Sequence, residues 1–293
     1  MLDVTLLSQI LWTGLANSSY QVLFAIAFAL VLKVLGIWNF AQPALMSASF
    51  YCMYAAEEYF GVPLLLAMTF ALILTILLAY AIERGAFAVL RNRNSASIGF
   101  FIFTIVFSQF VIYVLTLIFT AEPRLLLGSM SYDIFIISGV FMTSWDFAAI
   151  GVSAAMSVAL YVFLNYTQPG QFMIAVADNA ELAETYGISK GRYYALTMVI
   201  AAVLINTSMF LFGTKIAFYP ELSLHMMLLA VAATIIAGIG NVFGAGLAAV
   251  VIVVMQQMSV LIVGSRWQSL LVFAILFVTI IFFPKGIRLQ VRS

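Results

Sequence analysis

Long apolar runs separated by short polar segments dominate the pattern of this chain. A membrane-spanning helix needs about 20 apolar residues to cross about 30 Å of hydrocarbon. Stretches that meet or approach that length lie at 6–32, 40–56, 62–82, 97–120, 147–166, 194–214, 222–238, 243–263 and 267–283. Their apolar residues are continuous rather than alternating, which argues against a transmembrane β-barrel. The pattern predicts an all-α, polytopic membrane bundle of about nine transmembrane helices, or eight if 40–56 re-enters the membrane instead of crossing it.

The composition excludes several other classes of protein. Of the 293 residues, 65% are hydrophobic and only 8% are charged. A soluble domain carries about 25% charged residues, so a soluble enzyme, a disordered chain and a secreted disulfide scaffold are all excluded. The chain has one cysteine, Cys52, and one histidine, His225. It contains no Gly-x-x-x-x-Gly-Lys-Ser/Thr phosphate loop. We therefore expect no metal, no cofactor and no ATP hydrolysis in this chain, and a net charge of +1 gives no reason to expect nucleic acid.

Basic residues set the predicted orientation, because cytoplasmic loops of membrane proteins are rich in Lys and Arg. The basic clusters lie at 84–93, 190–192 and 285–292. Placing all of them in the cytoplasm puts the N-terminus of a nine-span chain outside the cell and its C-terminus inside. We expect residues 1–293 to form one transmembrane domain in the plasma (inner) membrane, in contact with lipid.

The two longest loops carry structure of their own. The outer loop, 121–146, contains a β-rich segment from Ile134 to Thr143 that is interrupted at Gly139, which favours a short hairpin. The inner loop, 167–192, is expected to lie in the cytoplasm.

The inner loop has the start and stop signals of a short helix. Pro169-Gly170 is expected to end the preceding helix. Asp178 followed by Glu181 resembles a capping box, and Gly187 suits the left-handed position after a helix end. These signals predict a helix of about two turns at 179–186. An isolated helix of that length would be only marginally stable in water. One interpretation is a docking element pressed into a partner protein, and the other is an amphipathic connector lying on the bilayer surface.

Uncharged polar residues interrupt three of the apolar runs near mid-depth. The densest group is Asn17–Gln21, and Gln109 and Asn206–Ser208 are the others. Polar side chains at that depth should face the bundle interior or a wet cavity. Asn17 and Gln21 are four residues apart, so they share one helix face. They indicate either a polar pathway or hydrogen bonds between helices within the subunit.

The inner loop carries a spaced set of residues, Gly170, Ala175, Asn179, Ala183, Gly187 and Ile188. This set resembles the cytoplasmic motif of a known family, the LivH-like permease subunits of branched-chain amino-acid ABC importers, and three other segments resemble that family too. The inner loop departs from the motif at Ile174, where the family has Arg. The other similar segments are Asn39–Ala41, Gly238–Ala245 and Pro284–Ile287, although Gln42 and Pro43 replace the family's His and Gly. All four segments occur in the family's order.

The resemblance implies a permease that works within a larger assembly. Its expected partners are a second, homologous permease subunit, two cytoplasmic ATPase subunits that bind ATP and magnesium, and an extracytoplasmic solute-binding protein. The short inner helix would be the coupling helix that fits an ATPase, and the six matching inner-loop residues are its candidate coupling residues. The candidates for the substrate pathway are Asn17, Ser19, Gln21, Asn39, Gln42, Gln109 and Asn206.

Three other functions remain open from the sequence. A related permease for urea or short amides is one, because Ser18–Leu23 departs from the family's pattern in the first span. An ATP-independent secondary transporter or channel is another, although none of the predicted spans carries a carboxylate or ion pair at mid-depth. A membrane-embedded enzyme is the third, and it lacks a recognisable acid–base pair or metal-ligand cluster.

Overall fold

The computed structural model describes residues 4–126 and 132–263, together with the single positions Ala274 and Phe277. Its helices are α1 Val4–Leu35, α2 Gln42–Glu58, α3 Leu64–Ala81, α4 Ala88–Asn92, α5 Ser97–Phe119, α6 Ser144–Tyr166, α7 Gln168–Asp178, α8 Ala180–Thr185, α9 Lys190–Gly213, α10 Leu222–Ala237 and α11 Val242–Val263. A π-helical stretch, Ile82–Phe87, joins α3 to α4. The strands are β1 Ile134–Ile137 and β2 Val140–Thr143.

The predicted helical membrane bundle is confirmed. Six segments of the described chain are long and apolar enough to cross a membrane: Thr5–Leu35, Leu64–Asn92, Ser97–Phe119, Ser144–Tyr166, Lys190–Gly213 and Val242–Ser259. The helix α10 is apolar but shorter, with 16 residues, and α2 has 17 residues with Glu57 and Glu58 at its end. The stretch 267–283 lies outside the described residues apart from the two single positions, so the number of spans stays a prediction.

The centre of the bundle is formed by α1 and α9, with α2 beside them. In the apolar 18-residue stretch of each span, the buried share of residues is 83% in α1 and 78% in α9, but only 17% in α5. Leu23, Phe28 and Ile205 are completely buried. α1 packs against α6, α9, α10 and α11, whereas α5 packs chiefly on α2. A helix that is apolar on all sides suits the centre of such a bundle.

The bundle has two ends, which we name by the elements found there. At the hairpin end, the β1–β2 hairpin lies beside the start of α1, and Asp146 at the start of α6 pairs with Lys215 just after α9. At the α8 end, Lys33 near the end of α1 shares a cleft with Ile174 of α7. Successive long helices therefore run in opposite directions between these ends.

The hairpin predicted in the outer loop is confirmed. β1 and β2 pair antiparallel, with Ile137 opposite Val140. Ser138 and Gly139 both have positive φ, 52° and 80°, which is the geometry of the tight turn that follows the twist of paired strands. The carboxamide of Gln9 binds the free edge of β2, donating to the carbonyl of Phe141 at 3.1 Å and accepting from its N–H at 2.7 Å. This contact attaches the hairpin to α1.

Candidate functional site

The inner loop is built on a close contact between α6 and α7. α6 ends at Tyr166, and the Thr167 side chain accepts a hydrogen bond from the Gly170 N–H at 3.2 Å. A Cβ atom added to Gly170 would lie 2.0 Å from the Phe163 carbonyl oxygen, so only glycine fits at this contact. As predicted, the preceding helix ends just before Pro169-Gly170, but the pair itself belongs to α7, a helix that the sequence did not predict. Pro169 lies in the first turn of α7, where a missing N–H costs nothing.

The cap at the start of α8 differs from the predicted one. Asp178 is the last residue of α7 rather than the N-cap of α8. The N-cap is Asn179, whose side-chain oxygen accepts a hydrogen bond from the Leu182 N–H at 2.9 Å. The helix therefore covers Ala180–Thr185 instead of 179–186. Asn179 has extended backbone, which turns the chain sharply between α7 and α8.

The end of α8 is formed as the sequence predicted. Gly187 has a φ of +81°, so it is left-handed. Its N–H donates to the Glu184 carbonyl at 2.9 Å, and the Ile188 N–H donates to the Ala183 carbonyl at 3.0 Å. These two bonds define a Schellman motif, which satisfies carbonyls that would otherwise lack partners at the helix end.

The side chains that α8 presents outward are not the ones singled out from the sequence. Ala183 is buried, and Ala175 is half-buried in α7. The exposed apolar residues of this segment are Leu182 and Tyr186, whose exposed fractions are 53% and 79%. Of the six predicted coupling residues, Ala175 and Ala183 pack at least partly inward rather than facing a partner. Asn179, Gly187 and Ile188 form the caps of α8. The missed signal was an exposed Leu and Tyr on a very short, well-capped helix.

A chain of charged and aromatic contacts connects α8 to the rest of the bundle. Lys190, at the start of α9, pairs with Glu184 of α8 at 2.9 Å. Four residues further along α9, the ring of Tyr194 lies 4.6 Å from the guanidinium carbon of Arg91 in α4. Arg91 also pairs with Glu83, a carboxylate that is almost completely buried in the π-helical stretch. These contacts link α8 to α9, α4 and α3.

Sequence analysis missed this chain of contacts. The available signal was Glu83, a single carboxylate directly after a long apolar run, followed closely by Arg84 and Arg91. A buried carboxylate is stable only with a charged or hydrogen-bonding partner. The partner's identity depends on tertiary packing, which the sequence spacing does not reveal.

The pathway candidates on α1 lie inside the subunit. The Gln21 side chain donates to the Met226 carbonyl of α10 at 2.9 Å, and the Ser19 hydroxyl donates to the Ala16 carbonyl at 2.7 Å. Asn17 is also buried, but its side-chain oxygen has no hydrogen-bond partner among the residues that the structure describes. Hydrogen bonding within the subunit therefore accounts for Gln21 and Ser19, and it leaves the oxygen of Asn17 unexplained.

Three further candidates join helices of the core. Asn39 accepts a hydrogen bond from the Ala41 N–H at 3.1 Å, and Gln42 donates to the Ala27 carbonyl of α1 at 3.4 Å. Asn206 of α9 accepts from the Ser49 hydroxyl of α2 at 2.8 Å and donates to the Met68 carbonyl of α3 at 3.4 Å. All three candidate side chains are buried. Asn206 thus connects the central helices at mid-depth.

Gln109 differs from the other candidates, because it is exposed on the outer surface of α5. It therefore does not face the interior of its own subunit, and the alternative expectation, that it lines a wet cavity, stays a prediction. Two apolar clefts of about 580 Å³ and 470 Å³ also open on the surface of α5. None of the seven pathway candidates lines either cleft. The structure therefore brings Asn17, Ser19 and Gln21 together on α1, and it leaves Gln109 apart from them.

Comparisons with known proteins agree with this architecture. A solved structure, PsaBC from Streptococcus pneumoniae in complex with Fab, is similar in fold over 96% of this chain and 94% of that chain, with a TM-score of 0.52 and 16% identity. Among curated proteins, the high-affinity branched-chain amino acid transport system permease protein BraD of Pseudomonas aeruginosa is 26% identical, over 95% of this chain and 94% of its own length. The permease protein LivH of Escherichia coli is also 26% identical, with the same coverage.

A family model extends this similarity across nearly the whole chain. The model described as "branched-chain amino acid transport system / permease component" matches residues 10–280. The matched region includes the α7–α8 loop and every helix named above except the start of α1. The chain is therefore a multi-pass membrane protein that belongs to the family of permease components of branched-chain amino acid transport systems.

Proposed function

We propose that this chain is a transmembrane permease subunit of an ABC importer that moves a branched-chain amino acid into the cytoplasm. The observation that carries the proposal is α8, a helix of only six residues that is capped at both ends by local hydrogen bonds. It lies between α7 and the span α9, and it presents an exposed Leu and Tyr. A rigid apolar projection of this kind suits a cleft in a partner protein.

The proposed assembly contains a second, homologous permease, two ATPase subunits at the α8 end and a solute-binding protein at the hairpin end. ATP and magnesium belong to the ATPase subunits. Family membership supports this arrangement, and the α8 projection supports the position of the ATPases. Residues 1–293 form the permease domain of the assembly.

The orientation we propose follows the distribution of charge. Lys33, Arg84, Arg91, Lys190 and Arg192 all belong to elements at the α8 end. Because cytoplasmic loops are rich in basic residues, the α8 end faces the cytoplasm and the hairpin end faces outward. The N-terminus is then extracytoplasmic and the C-terminus cytoplasmic. We retain nine spans in this proposal.

The contacts around α8 suggest how movement of an ATPase reaches the membrane. A displacement of α8 acts on α9 through the Glu184–Lys190 pair and through the short connection between the two helices. The contact of Tyr194 with Arg91 transmits the displacement to α4. The pairing of Arg91 with Glu83 transmits it to the π-helical stretch that follows α3. The α3 and α9 helices both flank α2, so their relative shift would open one end of the bundle or the other.

We retain the polar groups on α1 as candidates for the solute pathway, with Asn17 foremost. Its buried side-chain oxygen has no partner in the described part of the chain. An unpaired buried oxygen costs about 1–3 kcal/mol, so it calls for an explanation. A transient hydrogen bond to a passing solute would supply one.

Uptake by proteoliposomes tests the proposed function. The complete assembly, with its solute-binding protein, is reconstituted with ATP inside or outside, and labelled leucine and labelled urea are supplied in parallel. Leucine uptake that requires ATP on the α8 side supports the proposal. Uptake of urea alone would favour the related amide permease, and leucine uptake driven by an ion gradient without ATP would favour a secondary transporter.

A further inference from the structure

The outward face of α5 carries polar groups that have no hydrogen-bond partner among the described residues. Phe100, Thr104, Ser108 and Ile112 form the face that packs inward, and all four are buried. The opposite side carries Ile102, Val106, Gln109, Tyr113 and Leu117, which recur every three or four residues and are all exposed. That spacing places them along one line of the helix.

Gln109 cannot be satisfied by lipid. It is close to the middle of the 23-residue helix, and its carboxamide makes no hydrogen bond within the described chain. Hydrocarbon offers no donor or acceptor, so a carboxamide exposed there carries a large cost. The hydroxyl of Tyr113, one turn further along the same line, also has no partner among the described residues.

On α3 and α6, several exposed or half-buried polar side chains make hydrogen bonds within their own helix. The Thr69 hydroxyl of α3 donates to the Leu66 carbonyl at 2.7 Å, and the Ser157 hydroxyl of α6 donates to the Ser153 carbonyl at 2.8 Å. Asn165 at the end of α6 likewise donates to the Tyr161 carbonyl at 2.8 Å. These side chains of α3 and α6 are therefore satisfied within their own helix, whereas the carboxamide of Gln109 on α5 has no partner among the described residues.

We propose that the face of α5 defined by positions 102, 106, 109, 113 and 117 is where this subunit meets the second permease subunit. The inference rests on the proposed function, and it identifies the surface that the assembly uses. A solute-binding protein or an ATPase contacts the ends of the bundle, so neither reaches mid-depth. A transmembrane helix of a homologous permease does, and it can supply the hydrogen bond that Gln109 requires.

The assembly also explains why α5 is the least buried of the candidate spans, with only 17% of its window buried. Apolar side chains gain little by leaving lipid for another helix, because lipid tails are equally apolar. A ridge of side chains with a central carboxamide supplies both the packing and the hydrogen bond that hold membrane helices together. The shared boundary then places a polar group of this chain beside the route between the two permeases.

Site-specific photo-crosslinking tests the proposal in the complete assembly. A benzoylphenylalanine is introduced in place of Gln109, and separately in place of Leu77 of α3 and Val158 of α6, which are 60% and 61% exposed. The assembly is purified from cells that co-express its natural partner subunits, and crosslinked peptides are identified by mass spectrometry. We expect position 109 to crosslink to a transmembrane helix of the second permease at least tenfold more strongly than positions 77 and 158.

A second measurement, co-purification of the second permease, tests whether Gln109 contributes to a stable interface rather than to a transient collision. Gln109→Leu should reduce the amount of second permease that co-purifies by at least threefold, while Leu77→Ala leaves it unchanged. If the second permease co-purifies but position 109 crosslinks no better than the controls, the α5 interface is wrong and the proposed function stands. If no homologous permease co-purifies with the unaltered chain, the proposed function and the interface both fail.

Discussion

The capping residues of the inner loop and Gln21 of α1 differ in where their hydrogen-bond partners lie. In the loop, Asn179 bonds to Leu182, and Gly187 bonds to Glu184, so each partner lies three residues away. In α1, Gln21 bonds to Met226, which is 205 residues further along the chain. Short-range partners follow from local rules of helix capping, whereas long-range partners depend on how the helices pack. A polar residue near its partner in sequence can therefore be interpreted without a structure.

The largest effect on stability is expected at the contact between α6 and α7, on which the inner loop is built. Gly170→Ala should lower the free energy of unfolding by about 1–3 kcal/mol or more, because the new methyl group meets the backbone of Phe163. Gly151→Ala in α6 is the matched control. Nothing lies within 4 Å of its added Cβ, so stability should stay the same or rise by about 0.5–1 kcal/mol. Unfolding in detergent micelles measures both, and equal losses would contradict the close α6–α7 contact.

The next effect concerns the long-range bond of α1. Gln21→Leu should cost about 1–3 kcal/mol, because it leaves the buried Met226 carbonyl without that partner. Gln109→Leu serves as the control, since this carboxamide has no bond to lose among the described residues and the stability of the isolated subunit should not fall. Equal effects in the same unfolding assay would show that burial of Gln21 does not matter.

A smaller loss is expected at the end of α8. Gly187→Val should cost about 1–2 kcal/mol, since a β-branched residue resists the left-handed conformation. Gly187→Asn should cost less, because Asn tolerates that conformation better. Hydrogen exchange of the α8 amides reports the change directly. If Val and Asn behave alike, the left-handed cap contributes little to the loop.

The smallest effect on stability is expected at Asn17. Asn17→Leu should leave the free energy of unfolding unchanged or raise it by about 1 kcal/mol, because the lost side-chain oxygen has no partner among the described residues and burying it unpaired is unfavourable. Uptake by the reconstituted assembly should nevertheless fall if this oxygen serves the solute. Unchanged uptake with unchanged stability would remove Asn17 from the pathway and leave packing as its explanation.

Local signals in the sequence predicted the helical bundle, the hairpin turn at Gly139 and the left-handed Gly187. They misplaced the cap of α8, because Asp178 and Asn179 are both good capping residues and only the turn between α7 and α8 selects the second. They also missed α7, since Pro169 stops one helix and starts another equally well.

The parts that depend on tertiary packing could not be predicted. The position of a polar residue within an apolar run indicates its depth in the membrane, but not whether its side chain points into the bundle or out of it. Gln21 and Gln109 therefore could not be distinguished from the sequence. Packing also decides that Ala183 faces inward. Replacing Ala183 by Arg would therefore disturb α8 itself, and the exposed Leu182 is the better position for testing a docked partner.

The central claim, that α8 couples this permease to an ATPase, is tested most directly by comparing Leu182→Arg with Ile239→Arg. Both residues are apolar and exposed at the α8 end, but Ile239 lies in the turn between α10 and α11. The measurement is ATP-driven uptake of leucine by the reconstituted assembly, with co-purified ATPase quantified in the same preparation. We predict at least tenfold loss of both for Leu182→Arg and near-normal values for Ile239→Arg. Full uptake and normal ATPase retention by Leu182→Arg would contradict the account.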